Sequence, residues 1–368
     1  NWTTTGTAVT GAVPDLSNVA NVIIPVGLSV VYDNAVAGPV TSAVLNNGNL
    51  NINLAANTTM SMPIVGGGSV VLSGTGVVTM SGANSYSGGT ILNPGSSLVV
   101  ANAAAIGTPN VTSNATALNP ASFKVSSGVT LPFLNITGGT VQLMSDITTT
   151  GTQSYANLIM AATGSGTTTL ASNNANIVFN GLIDSANAKT QSLTVSAGTG
   201  SVLLGDSIGS VARLSRVIVT GRSINILADI LTADTQTYNG SVFIGDASYV
   251  GKTPTVGFLF NNRSNYFEYS TVGVISTISY LNRNPIFVRT LISEDPSVTF
   301  NGSVNDLVTS THTLLVGAIA TDNSTAASNS ASVTFAAPVG ALSPLYSLNA
   351  QTLVNAARPD LAASYVGS

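Results

Sequence analysis

Between residues 65 and 100 the chain reads VGGGSVVLSGTGVVTMSGANSYSGGTILNPGSSLVV, with aliphatic residues alternating with Ser, Thr or Asn until a Gly or Asn interrupts. A period of two predicts half-buried strands, and Gly, Asn, Ser and Asp are the residues that tolerate the backbone of tight corners. The same short pattern recurs along almost the whole chain, as NVIIPV, TVQLMS, NIVFNG, SLTVSA, SVLLGD, RVIVTG, SINILA, SVFIGD and SVTFNG. Helix-period stripes are nearly absent, DLSNVANVI and QTLVNAARPDLAASYV being the two candidates. The pattern predicts an all-β protein of many short strands and tight corners.

Internal similarity adds an architecture. ITTTGTQSYANLIM from Ile147 matches ILTADTQTYNGSVF from Ile230; NIVFNGLIDSANAKTQSLTV from Asn176 matches SVTFNGSVNDLVTSTHTLLV from Ser297; SVLLGDSIGSVARL from Ser201 matches SVTFAAPVGALSPL from Ser332. Two copies of one module thus run in tandem. The second copy carries a surplus of about 38 residues that must lie between Asp246 and Pro296. Repeats that cannot bury their own apolar faces gain a core by stacking, which predicts a parallel β-solenoid with rungs of about 20 to 25 residues. A row of β-sandwiches with short strands is the alternative architecture.

Stacking also explains why so few positions are charged. Only 7% of residues are charged while 44% are apolar, against a charged share of roughly 25% in ordinary soluble domains. Rungs about 4.8 Å apart place equivalent outward side chains in ladders. Two like charges at that spacing repel by about 0.9 kcal/mol even in water, whereas ladders of Thr, Ser and Asn can hydrogen-bond along the stack.

Residues Gly74 to Thr108, GTGVVTMSGANSYSGGTILNPGSSLVVANAAAIGT, resemble the passenger-associated repeat of bacterial autotransporters through Ser81, Gly82, Asn84, Tyr86, Gly88, Gly89 and Thr90, with Met80 in place of the usual Leu. The TQSY and TQTYNGSVFIGD modules are similar to repeats of filamentous-haemagglutinin-like adhesins exported by type V secretion. The resemblance implies a right-handed parallel β-helix on the outer-membrane exterior of a Gram-negative cell. It also implies passage through an outer-membrane translocator pore and a role in cell adhesion or aggregation, hence in virulence. A C-terminal membrane barrel and a recognisable N-terminal secretion domain are absent from the sequence, as is a secretory signal peptide, which fits a processed or internal fragment.

Charge and motif content narrow the functional classes. A net charge of −4 removes the electrostatic case for nucleic acid. No apolar run reaches the roughly 20 residues of a spanning helix. Cysteine is absent, which suits a chain exported unfolded into an oxidising space.

The expected organisation is a β-helix over 1–245, an inserted subdomain over 246–296 extruded from it, and the β-helix with a tail over 297–368. The surplus segment holds eight of the 21 aromatic residues, four of the ten basic residues, and both glutamates. Freed from the ladder, it is where a solenoid displays a contact surface, with Tyr and Arg the usual anchors. The candidate binding residues are Arg263, Tyr266, Phe267, Tyr269, Tyr280 and Arg283. The competing role for the aromatics is a small core of Phe258, Phe260, Phe267 and Phe287.

His312, the lone histidine, is set by the repeat against Ser192, which predicts a solvent-facing ladder position rather than a catalytic one. Glu268 and Glu294 would form a glycosidase pair only about 5 to 9.5 Å apart beside a groove. Asp206, Asp229, Asp234 and Asp246 are too scattered for a calcium loop. No cofactor or metal is expected. The expectation is a non-enzymatic adhesin or fibre segment whose partner is a host-cell or bacterial surface glycan or protein, with self-association as a further possibility. The alternatives are a self-assembling surface-layer or matrix protein and, behind it, a polysaccharide-degrading β-helix enzyme.

Overall fold

A computed structural model describes residues 2–4, 7–9, 21–33, 43–163, 166–245, 287–293, 297–320 and 332–354. These residues form an all-β structure without helix, a parallel β-solenoid of about ten turns. The described parts of both helix candidates are strand, Asn21–Ile24 and Ser347–Val354. The strand pairings are parallel apart from an antiparallel hairpin of Trp2–Thr4 with Thr7–Val9.

Each turn visits three faces in a fixed order. On the first face the register climbs Val30, Leu50, Val70, Thr90, Val111 and Ile136, then Tyr155, Phe179, Leu204, Ile226, Ile244 and Asp306. The second face carries Met60, Met80, Val100 and Val125. The third face carries Ile147, Leu170, Val195, Val219, Tyr238, Phe300 and Phe335. The first and third faces fuse where Val217–Ile226 and Gln236–Ile244 run unbroken through a corner.

Alternation does the sorting that its period predicts. In Ser69–Leu72, Val77–Met80 and Ser97–Val100 every second residue is buried, and the inward set fills one continuous core. Outward positions hydrogen-bond up the stack: the Ser73 hydroxyl donates to Asn51 Oδ1 (2.9 Å), Asn93 Nδ2 to Ser73 Oγ (2.8 Å) and Asn114 Nδ2 to Asn93 Oδ1 (2.9 Å). Over residues 43–145 one charged residue occurs, Lys124. Neutral ladders thus replace the repulsion that charged ones would suffer.

Corners set their own demands. Gly48, Gly68 and Gly88 stack at one of them, and a Cβ on Gly68 would lie 2.2 Å from the Gly48 carbonyl oxygen. At neighbouring Gly67 a Cβ would meet nothing within 4 Å. We expect Gly68→Ala to cost about 1–3 kcal/mol in urea denaturation and Gly67→Ala to stay within about 0.5 kcal/mol. Equal effects at the two positions would contradict the stacked-glycine account.

The motif at 74–108 is corner-building in the same sense. Buried Asn84 accepts the Ile64 N–H of the rung below (2.7 Å) and donates to Ala105 O of the rung above. Buried Tyr86 lies 2.7 Å from the Thr90 hydroxyl. Its residues therefore stitch three rungs together.

The tandem copies are visible in three dimensions. Tyr155 donates to Gln153 Oε1 (2.7 Å) and stacks on Phe179 (5.4 Å), while Tyr238 donates to Gln236 Oε1 (2.9 Å) and stacks on Phe300 (5.2 Å). Gln153 in turn donates to Thr149 Oγ1, as Gln236 does to Thr232 Oγ1. The copies do not share faces, however. From Tyr155 the chain passes Phe179, Leu204 and Ile226 on the first face, then crosses the second face to reach Tyr238 on the third. The second copy is therefore displaced by three and two-thirds turns. One module builds any face because all three present the same alternation.

Burial holds the Tyr86, Tyr155 and Tyr238 hydroxyls far above the ordinary tyrosine range, the Thr90 hydroxyl offsetting part of this for Tyr86. Their folded-state values lie above the unfolded ones. The stability they contribute is therefore whole below about pH 10 and lost as pH rises above it. We expect the urea midpoint to fall above about pH 10, with these three ionising only on unfolding. Tyrosinate absorbance that develops fully in the native state would contradict this.

Candidate functional site

The six candidate binding residues, Arg263, Tyr266, Phe267, Tyr269, Tyr280 and Arg283, lie outside the described residues, as do Phe258, Phe260, Glu268, Glu294 and Asp246. What the structure gives is the place where their segment is rooted. Successive first-face rungs advance 18 to 25 residues, for example Ile224 to Val242 and Ile177 to Val202, but Val242 pairs with Val304, 62 positions on. The extra chain leaves after Gly245. It rejoins earlier than the expected Pro296, because Phe287–Ser293 is a ladder strand between Ile230–Thr232 and His312–Ala320. Phe287 therefore belongs to the ladder backbone and not to an extruded core.

The first copy calibrates the root. Met160 pairs with Ser185 as Ile244 pairs with Asp306, and Thr167 with Ser192 as Val288 with Thr313. The six residues 161–166 of the first copy thus correspond to the 43 residues 245–287 of the second. The root itself is pinned: Arg289 Nε donates to Gly245 O (2.6 Å), and Asp229 Oδ1 accepts the Thr290 N–H (3.0 Å). Asp146 plays the latter part in the first copy, accepting the Thr169 N–H (2.7 Å).

Directly above the root sits the least expected feature of the chain. Asp306 takes an inward position, one rung beyond Ile244 in an apolar column, and His312 stands in register with Phe287. Both are buried. His312 Nδ1 donates to Asp306 Oδ1 (2.6 Å) and lies 2.8 Å from the Thr311 hydroxyl. Asp306 also accepts the N–H groups of Val308 (3.0 Å), Thr311 (2.8 Å) and His312 (2.8 Å). The carboxylate is thus the hub of the corner 306–312, its burial offset by charge-assisted hydrogen bonds.

The solvent-facing position expected for His312 is therefore wrong, and the repeat shows why. Lys189 and Ser310, both at positive φ (66° and 57°), are equivalent, and Thr190 Oγ1 donates to Asn187 O (2.7 Å) as Thr311 Oγ1 does to Val308 O (2.6 Å). This register sets His312 against Gln191, one position before Ser192. Gln191 and Ser192 are themselves buried. Asp306 then corresponds to Ser185, so one backbone turn is built around Ser and Gln in one copy and around Asp and His in the other.

Three further carboxylates among the described residues are caps rather than a cluster. Asp184 Oδ1 accepts Val211 N–H (2.9 Å) and Ala212 N–H (3.0 Å), Asp206 caps Ser207, and Asp234 caps Thr235. Among the described residues no three His, Cys, Asp or Glu side chains are grouped to hold a metal. An outward apolar ladder is present at the N-terminal turns, where Ile23, Leu45 and Val65 stand in register and are 61%, 38% and 37% exposed.

Comparison with protein-family models, curated proteins and solved structures returned no match.

Proposed function

We propose that the chain is a non-enzymatic adhesin or fibre segment of a bacterial cell surface. In this reading it is an autotransporter-like or two-partner passenger that crosses an outer-membrane pore by type V secretion. The partner is a glycan or protein on a host cell or a neighbouring bacterium. The observation that carries the reading is the 62-position step from Val242 to its ladder partner Val304, where the preceding first-face rungs advance 18 to 25 residues, on a charge-poor stack. A solenoid of neutral ladders offers little for specific recognition, whereas 246–286 concentrates Arg and Tyr, the side chains that anchor contacts. The passenger-type repeat at 74–108 supports the surface location by resemblance.

The test is binding of the whole chain to glycan arrays and host cells, with Arg263→Ala, Tyr266→Ala and Tyr269→Ala scored one at a time. Loss of at least about tenfold in affinity for one or more of them is expected for hot-spot side chains. Binding unaffected by all three would set these residues aside as the contact.

The second reading is a self-assembling surface-layer or matrix protein, favoured by the exposed Ile23–Leu45–Val65 ladder. It expects concentration-dependent association that Leu45→Asp abolishes. A polysaccharide-degrading enzyme stands behind both readings.

A further inference from the structure

The duplicated corner diverges in an informative way. In the second copy it exposes Leu307 (42%), Val308 (36%), Leu342 (76%) and Tyr346 (51%). The equivalent positions of the first copy are Ala186, Asn187, Val211 and Ser215. Equivalence is fixed by hydrogen bonds, since Asn305 Oδ1 accepts Leu342 N–H (3.0 Å) and Ser343 N–H (3.4 Å) as Asp184 Oδ1 accepts those of Val211 and Ala212. The two loops touch on successive rungs: the Thr309 and Ser343 hydroxyls are 2.9 Å apart, and Ser310 N–H donates to Pro344 O (2.8 Å).

We propose that the occupant of this apolar corner is the chain's own segment 246–286. The argument rests on where that segment begins and ends. It leaves at Gly245, where a Cβ would lie 2.7 Å from Leu307 Cδ2, and returns at Phe287, in register with His312 at the far end of the same loop. Its 41 residues hold seven of the 21 aromatics, so it carries apolar surface that water disfavours. The first copy, whose corresponding link is six residues long, has Ala, Asn and Ser where the second has Leu, Val and Tyr. Val211 is itself 84% exposed, as its counterpart Leu342 is, so the difference lies at the other three positions, where added apolar side chains and the long aromatic link occur together in the second copy. A docked segment would present its contact surface from a fixed base, and this holds whether or not the segment binds a partner.

The test uses the triple variant Leu307→Ala, Val308→Asn and Tyr346→Ser, which installs the first copy's residues on a backbone already known to accept them. Trypsin sites inside the segment, at Lys252, Arg263 and Arg283, report its release. We expect cleavage there to accelerate at least about tenfold in the variant, independently of protein concentration, while the rod keeps its β circular dichroism. Equal cleavage rates in both chains would overturn the proposal. Protection of the wild type that fades on dilution would overturn it in favour of a second copy on the corner. Should the triple variant lose its fold, Thr309→Cys in the otherwise native chain, which has no other thiol, gives a labelling rate. That rate should rise when 245–287 is replaced by the sequence of 161–166, and an unchanged rate would count against docking.

Discussion

Asp306→Ala is expected to destabilise the C-terminal turns by about 3–5 kcal/mol. The substitution leaves the N–H groups of Val308, Thr311 and His312 and the buried imidazole without their common acceptor. The imidazole in particular loses its partner in a fully buried place, where an unmet polar group carries its whole desolvation cost. The double substitution Asp306→Ser with His312→Gln should recover most of the loss, since Ser185 and Gln191 build the same turn in the first copy. Hydrogen exchange at amides 307–311, read beside urea denaturation, separates the outcomes. An alanine variant as protected as the wild type would show that the carboxylate is not the hub of the corner.

This corner also marks where sequence stops being informative. A buried carboxylate cannot be told from a solvated one by composition, and its signal is a register. Asp306 closes the three-residue strand Val304–Asp306, all of it buried, on a column whose preceding inward residues are Ile226 and Ile244. The gapless repeat set His312 against Ser192 instead of Gln191, and a serine at a strand start reads as solvent-facing although both first-copy residues are buried. The strand-and-corner architecture was legible because period-two patterning recurs from turn to turn and glycines mark several of the corners. The tandem copies were legible as well.

The return point was not legible. Arg289-Thr290-Leu291-Ile292-Ser293 matches Thr168-Thr169-Leu170-Ala171-Ser172 at three of five positions, a match too short to stand out in a chain rich in Thr, Leu and Ser. The one-face offset between copies was hidden for a different reason. All three faces read alike in sequence, and only pairing distinguishes them. The candidate contact residues were singled out by composition, and none falls among those described.

Replacing residues 245–287 by the six-residue sequence 161–166 is the second large prediction. The rod should fold as before, because the first copy already closes this corner with six residues. Solenoid stability is approximately a sum of neighbouring turns, so shortening an external link should leave the urea midpoint nearly unchanged or raise it through the lower cost of loop closure. Collapse of the whole rod would mean that the segment is part of the stack.

With that chain in hand, the most direct measurement is its binding to glycan arrays and host cells beside the full-length protein, after circular dichroism has confirmed the rod. The account predicts that binding seen with the full chain disappears when 245–287 is replaced. Binding of equal strength in both chains would contradict it and move recognition to the ladders of the solenoid itself.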